Sequence, residues 1–302
     1  MAKSATVPQG EQTEAEVLWE RARAWRERPL LREIYRRYFA LLCGQLATAR
    51  RPAGHERERG GSRWVGRVLE LGGGSGNFRE YFREQHESSE GSVGVGGTGG
   101  VAGELIASDI VPTPQVDLAA DALQLPFPDG SLDNLVMQDV LHHLPQPLAF
   151  FREARRVLRV GGRVVMMEPY ISPASRVVFK LAHPEPVVMG ARIFGDEMGA
   201  EGEGGYGNDP LVFSGEGAFA SNQAIPTLLF YRDRQRFERR FPDLPILRRR
   251  RLSCLVYPLS GGFSGPCLLP QVAWPLAWGA EWCLAPLAGL MGFRLVVVVE
   301  KR

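Results

Sequence analysis

The 302-residue sequence has little of what marks the specialised protein classes. Its four cysteines, Cys43, Cys254, Cys267 and Cys283, form no C-x-x-C pair and have no histidine at zinc-ligand spacing beside them. Free thiols in a reducing compartment are expected, and no metal centre. The net charge is only +2, so nothing global argues for a nucleic-acid partner, and the run Arg248–Arg251 reads as a solvated face. No stretch is apolar for long enough to read as a spanning helix. The opening residues, MAKSATVPQGEQTEAEV, have no apolar core and so no signal-peptide shape. These absences predict a cytoplasmic protein, with peripheral membrane contact as the one alternative.

What is present is a change of period. From Glu14 to Ala49 apolar residues recur at three and four spacing, and Pro29 breaks this amphipathic helix in two. Its aromatics Trp19, Trp25, Tyr35, Tyr38 and Phe39 read as ordinary core. Residues 1–60 are expected to form a helical cap and linker, and 61–302 the main domain. From Arg67 the pattern becomes short apolar runs alternating with helices: GRVLEL, NFREYFREQH, ELIASDI, a strand centred on Leu135–Met137, PLAFFREARRVLRVGG and RVVMMEP. Gly161 and Gly162 read as the C-terminal stop of the helix in that series. Arg155, Arg156 and Arg159 read as its solvated face, Asp129–Ser131 as a turn and Asp133 as a strand start. The cadence predicts an α/β fold, a parallel sheet with helices on both faces. Gly91–Gly103 reads as a flexible insertion without chemistry. Residues 170–245 read as a substrate cap containing a helix near SNQAIPTLLFYRDRQRFERRF, and two strands, RRRRLSCLVYPL and GFRLVVVVEKR, follow.

The sharpest feature is VLELGGGSGNF, residues 68–78, with four glycines in five positions. Glycine gives up the most backbone freedom on folding, so such crowding calls for a ligand or a tight turn. In open α/β sheets ligands bind beyond the carboxyl ends of strands, where this loop falls. The spacing is E-x-G-x-G-x-G, from Glu70 to Gly76. The third glycine comes one place early for a dinucleotide loop, and no Lys-Ser or Lys-Thr follows, which excludes a P-loop. An acid ahead of the glycines suits a cationic ligand better than a pyrophosphate.

The loop resembles motif I of the class I S-adenosylmethionine-dependent methyltransferases. LIASDI, AADALQLPFPDGSLDNLVMQDVLHHL and FFREARRVLRVGGRVVMMEP resemble, in order, the segments that follow it in that family. The resemblance covers about residues 67–169 and is nearest to the type 11-like subgroup of small-molecule and lipid methyltransferases. It implies a Rossmann-like, doubly wound seven-stranded sheet with the last strand antiparallel, and S-adenosyl-L-methionine as cofactor. By resemblance, Glu70 and the Gly72, Gly74 and Gly76 backbone hold the methionine part and Asp109 the ribose. Asp121 and Ala122 flank the adenine, and Gln138 and Asp139 face the methyl-donating end. Asp109 lies further along than in nucleotide-binding units generally, an excess the 91–103 insertion accounts for.

His142 and His143 are the candidate general bases, weighed against a structural role at a helix start. The acceptor implied is a small molecule, apolar or lipid-like. A non-catalytic cofactor-binding module and a nicotinamide-dependent oxidoreductase are the rival readings; the early third glycine and Glu70 count against the second. Residues 258–292 form an apolar, Trp-rich insertion. Between Pro266 and Gly292 its only charge is Glu281, and Trp274, Trp278 and Trp282 recur at four spacing, along one helical face. Its prolines argue against a spanning helix. A buried cap, a lid over a greasy substrate and a membrane-interface hairpin through 266–292 all suit it, the last disfavoured by the lack of a basic face.

Overall fold

The computed structural model describes residues 14–50, 63–91, 101–182, 185–194, 221–263 and 265–302; side chains are described from residue 20, and not for 87–91 or 182. The Trp19 side chain and most of the 91–103 and 170–220 segments therefore lie outside what is described. The chain opens with α1 (Glu14–Glu27) and α2 (Pro29–Cys43), split at Pro29 as the sequence predicts. A proline at the first turn of α2 is tolerated because its missing N–H has no intrahelical partner there.

Seven strands follow, β1 (Arg63–Leu71), β2 (Val101–Asp109), β3 (Leu118–Ala119), β4 (Leu132–Gln138), β5 (Leu158–Pro169), β6 (Ile246–Leu252) and β7 (Arg294–Glu300). They form one sheet in the order β3-β2-β1-β4-β5-β7-β6. β1 to β5 pair in parallel, whereas β7 runs antiparallel to both β5 and β6. The order reverses between β1 and β4, so the crevice at their carboxyl ends is where this architecture places a ligand.

The central strands are apolar on both faces because both are covered. Leu69, Leu135, Met166 and Val297 face a core completed by α4 (Pro147–Val157) and by the segment α6 (Ile225–Thr227), a π-helical turn (Leu228–Arg232) and α7 (Arg234–Arg240). Val68, Val136, Val165 and Val296 face the other core, filled by α2 and α3 (Asn77–Gly91). Tyr35, Tyr38 and Phe39 are buried there, and Trp25 packs edge-on to Tyr35. The remaining helices are α5 (Pro173–Ala182), α8 (Val256–Leu259), α9 (Trp274–Leu284) and α10 (Ala288–Met291).

Four local expectations are corrected. α4 ends at Val157 and passes directly into β5; Gly161 and Gly162 lie within that strand. Gly161 takes φ +77 where its N–H bonds Lys301, a strand irregularity rather than a helix stop. β2 begins at Val101, so Val101–Gly103 belong to the sheet and not to an insertion. Arg156 is no solvated cation: its guanidinium donates to the carbonyls of Leu125 and Phe127 and to Asp129 and Glu153, pinning the turn before β4. Arg159 likewise bridges Asp133 and the carbonyl of Thr48. Finally, the three indoles do not share a face. Trp274 and Trp278 pack on the core, while Trp282 is 81% exposed. Four residues advance a helix by about 400°, so each indole turns about 40° past the last, and the third leaves the buried stripe.

Asn134 of β4 is fully buried and ties the N-terminal segment to the sheet. Its Oδ1 accepts the Ala47 N–H at 2.6 Å, and its Nδ2 donates to the carbonyls of Ala47 and Val65. Asn134→Ala leaves these groups unpaired and is expected to cost about 2–4 kcal/mol in denaturant unfolding. Arg155→Ala, on the half-exposed neighbour of Asp243, should change stability by less than about 0.5 kcal/mol. Equal stability of both variants would refute this assignment.

Candidate functional site

A cleft of about 420 Å³ opens at the carboxyl ends of β1, β2 and β4. Its floor is the glycine loop, its walls the ends of β2 and β4, and its rim includes Arg21 of α1. The cleft brings together Gly72, Gly74, Asp109, Asp121, Ala122, Gln138, Asp139 and His143. Leu71, Ile110, Leu123, Val140 and Leu144 supply most of its apolar wall. Among the described residues, none of 170–245 or 258–292 lines it. A wider, open depression of about 660 Å³ lies over the outer side of α4, but charged side chains such as Arg152, Glu153 and Arg155 dominate it.

The loop's shape follows from its glycines. Gly72 has φ +75, and a Cβ there would stand 2.3 Å from a methyl of Val140. Loop and β4 terminus therefore interlock. Gly76 has φ +70 and turns the chain into α3; its N–H bonds Gly73 O, closing the loop beneath the cleft. At the end of β2, Asp109 accepts the N–H of Gly74 at 2.8 Å and of Val111 at 3.0 Å, which fixes its carboxylate against the loop. Asp121 is exposed and accepts the Leu123 N–H, so it both lines the cleft and holds its own turn.

Glu70 lies under the loop rather than in the cleft wall. Its carboxyl stands about 3 Å from the space a Cβ on Gly73 would fill, and it is buried, with Oε2 lacking any hydrogen-bond partner. Burial pushes its pKa up to about 8; Arg79 opposes this, and the nearby Asp109 and Asp117 add to it. Gln138 Oε1 is also buried without a partner. Such orphaned groups at a cleft are where a ligand completes the hydrogen bonding.

Asp139 is strained, at φ +58, and has two partners. Arg294 donates to its Oδ1 at 2.6 Å, and the Tyr35 hydroxyl to its Oδ2 at 3.3 Å. Burial alone would raise its pKa, but Arg294 overrides this and holds it below the usual carboxylate value.

The two histidines separate. His143 lines the cleft, its ring 4.2 Å from that of His142. His142 is buried and turned inward. Its Nδ1 meets Glu168 at 2.8 Å and its Nε2 meets Glu185 at 3.3 Å. Glu168, fully buried, also accepts the N–H groups of Val140 and Leu141, so it anchors the whole Leu141–His143 turn. Burial would lower the His142 pKa, but the hydrogen bonds to Glu168 and Glu185 outweigh it and raise the value to about 9. A ring protonated and held between two carboxylates has no lone pair for a substrate proton, which leaves the candidate base at His143.

Sequence reasoning missed Glu168, Arg294 and Arg21. The first two carried a signal: each is a charge set directly against an apolar run, in VVMMEP and FRLVVVV.

A family profile described as a methyltransferase domain matches residues 69–166, the span that builds the loop, the β2 terminus and β4. An uncharacterised methyltransferase of Mycolicibacterium paratuberculosis is 27% identical over 64% of this chain and 75% of its own. The 27-O-demethylrifamycin SV methyltransferase of Amycolatopsis mediterranei is 42% identical over 18% of this chain and 20% of its own. A crystal structure of an S-adenosylmethionine-dependent methyltransferase from Archaeoglobus fulgidus overlays with a TM-score of 0.45 at 14% identity, covering 89% of this chain and 94% of that one.

The His142 pKa is raised on folding, from about 6.5 to about 9. Its stabilisation is therefore complete below pH 6.5 and is lost as pH rises to 9, on the order of 3 kcal/mol. Glu70, also raised, acts with the same sign but between about 4.5 and 8. Subtracting the unfolding profile of His142→Asn from that of the native chain isolates the histidine. Parallel profiles between pH 6.5 and 9 would sink the assignment.

Proposed function

We propose that this chain, a class I S-adenosylmethionine-dependent methyltransferase, acts on a small, apolar or lipid-like acceptor. S-adenosylmethionine is its cofactor and supplies an electrophilic methyl group on a sulfonium. The observation that carries the reading is the cleft itself: glycine backbone on its floor, and the unpartnered Gln138 Oε1 among aliphatic side chains on its walls.

The residues present fit this cofactor. Glu70, beneath the loop with an unpartnered Oε2, would ionise beside a cationic amino group. Gly72 and Gly74 line the cleft without side chains of their own, which would let a ligand approach their backbone closely. Asp109, pinned by two backbone N–H groups, presents its carboxylate to a diol, and Ala122 and Leu123 give a flat apolar surface beside Asp121 for a base. Gln138 and Asp139 line the cleft, and Tyr35, whose ring is 5.3 Å from that of Phe263, donates its hydroxyl hydrogen bond to Asp139. Orientation and exclusion of water do much of the work in such a displacement. His143 takes the proton if the attacking group is a hydroxyl or an amine; His142 and Glu168 position it. The rifamycin match spans too little of the chain for its acceptor to be carried over.

The deciding experiment supplies methyl-labelled cofactor to the enzyme with aqueous and organic-solvent extracts, and identifies labelled products by mass spectrometry. Label is expected in the organic-soluble fraction, and His143→Ala should reduce turnover about 100-fold while cofactor affinity stays within a few-fold. Label confined to aqueous polar products would refute the acceptor class.

Cofactor binding should also release protons. At pH 7 the Glu70 carboxyl is mostly protonated, and a cationic partner pulls its pKa back down. Calorimetry in buffers of different ionisation enthalpy is expected to show release approaching one proton at pH 7, fading above pH 8, and absent in Glu70→Gln. Buffer-independent heats in the native enzyme would contradict the role given to Glu70.

A further inference from the structure

The apolar insertion covers the core with one side and leaves the other bare. Trp274 and Trp278 pack inward, and Arg37 stacks over Trp278 at 3.9 Å. The outward side carries Val272 at 89%, Leu276 at 78% and Trp282 at 81% exposure. Large apolar side chains so fully exposed and so close in the chain mark an interaction surface.

α5 extends this surface. It packs against α10, with Phe179 edge-on to Phe293 at 5.6 Å. Ser175 and Phe179 face inward, so Val177, Val178 and Leu181 face out, the last 80% exposed. Arg176 and Lys180, one turn apart on the same helix, are exposed beside them. At α10 the Arg251 guanidinium lies against Gly289, 2.8 Å from where a Cβ would be.

Among the described residues, charge of the other sign is withdrawn from this face. Glu281, the only acid of the insertion, points inward and accepts the N–H groups of Cys254, Leu255 and Val256. α5 and α10 contain no acid. On the α2 side, Glu33 is paired with Arg37. The basic side chains absent from the insertion's own sequence are thus supplied by α5 and β6.

We propose that the face formed by α5, α9 and α10 docks on the interface of an anionic lipid bilayer. An exposed Trp with aliphatic neighbours suits the headgroup boundary, and Arg and Lys bury their stems while keeping their charge at the phosphates. α9 has 11 residues and reaches about 16 Å, far short of a bilayer core, so it lies in the plane rather than across it. No helix among the described residues is long and apolar enough to cross a membrane. A second copy fits less well, because a two-fold contact would bring two faces of the same sign together, each with Arg176, Lys180 and Arg251 and no acid of α5 or α10 to meet them. The proposal is independent of the acceptor, since docking is read without turnover.

The test is flotation of the full chain with vesicles of phosphatidylcholine alone and of phosphatidylcholine mixed with phosphatidylglycerol. The native chain is expected to float with the anionic vesicles. L276E/W282E should lower the bound fraction at least tenfold, and R176E/K180E or raised salt severalfold, with melting and cofactor affinity unchanged in both variants. No flotation, or variants that float like the native chain, would overturn the proposal. Equal flotation on both vesicle types would overturn the requirement for anionic lipid. A dimer abolished by W282E, with no vesicle binding, would assign the face to a second copy instead.

Discussion

The buried pair of Arg294 and Asp139 is the contact on which the site's geometry hangs. Arg294 is 2% exposed, and only one arm of its guanidinium has a hydrogen-bond partner; Nε and Nη2 have none. A charge so placed is sustained by its counter-ion, and removing either member leaves the other uncompensated. The pair joins the first residue of β7 to the residue that follows β4, at the point where the strand order reverses. Tyr35 adds α2 through its hydroxyl. The rings of Tyr38 and Tyr257 lie 5.7 and 5.3 Å from the guanidinium, so its bare arms face π-density rather than carbonyls. Asp139 adopts a left-handed backbone that a non-glycine residue holds only when its surroundings insist, and here the ion pair and the hydrogen bond from its own N–H to Met167 do so.

A second anchor is built on the same pattern one strand away. Glu168 ends β5 as Asp139 follows β4, and it spends both oxygens on the Val140–His142 turn. The two carboxylates thus serve different ends. One ties α2 and β7 to the end of β4, and the other sets the ring beside the cleft. Both lie out of water, where a charged hydrogen bond is strong and a missing partner is costly.

Much of this was legible in the sequence, for reasons that differ by residue. The glycine loop is a local signal, crowded glycines after an apolar run whose length marks a buried parallel strand, whereas Asp109 and Ala122 were pointed to by the family resemblance. The split at Pro29 is equally local. The pairings of Arg294 with Asp139 and of His142 with Glu168 and Glu185 were not legible, because each joins residues distant in the chain and no spacing rule encodes them. Gly161 and Gly162 misled because a glycine pair after a helical stretch resembles a helix stop, whereas here Gly161 serves an irregularity early in β5. Arg156 misled because periodicity sets which way a side chain leaves a helix and not how far it curls back to find acceptors. The three tryptophans misled by the slow drift of four-residue steps, which is small for one turn and decisive over two.

The contact between Gly72 and Val140 bears on how portable the loop is. The motif reads as a self-sufficient cassette, yet its left-handed turn is backed by a branched side chain from the far end of another strand. Transplanting the glycine stretch alone into a foreign sheet would carry the flexible half of a lock without its rigid half. A residue smaller than Val140 would free the space beside Gly72 but not its backbone, because a side chain there would still meet the left-handed φ. The working unit is the interlocked pair, and the string of glycines is only its visible portion.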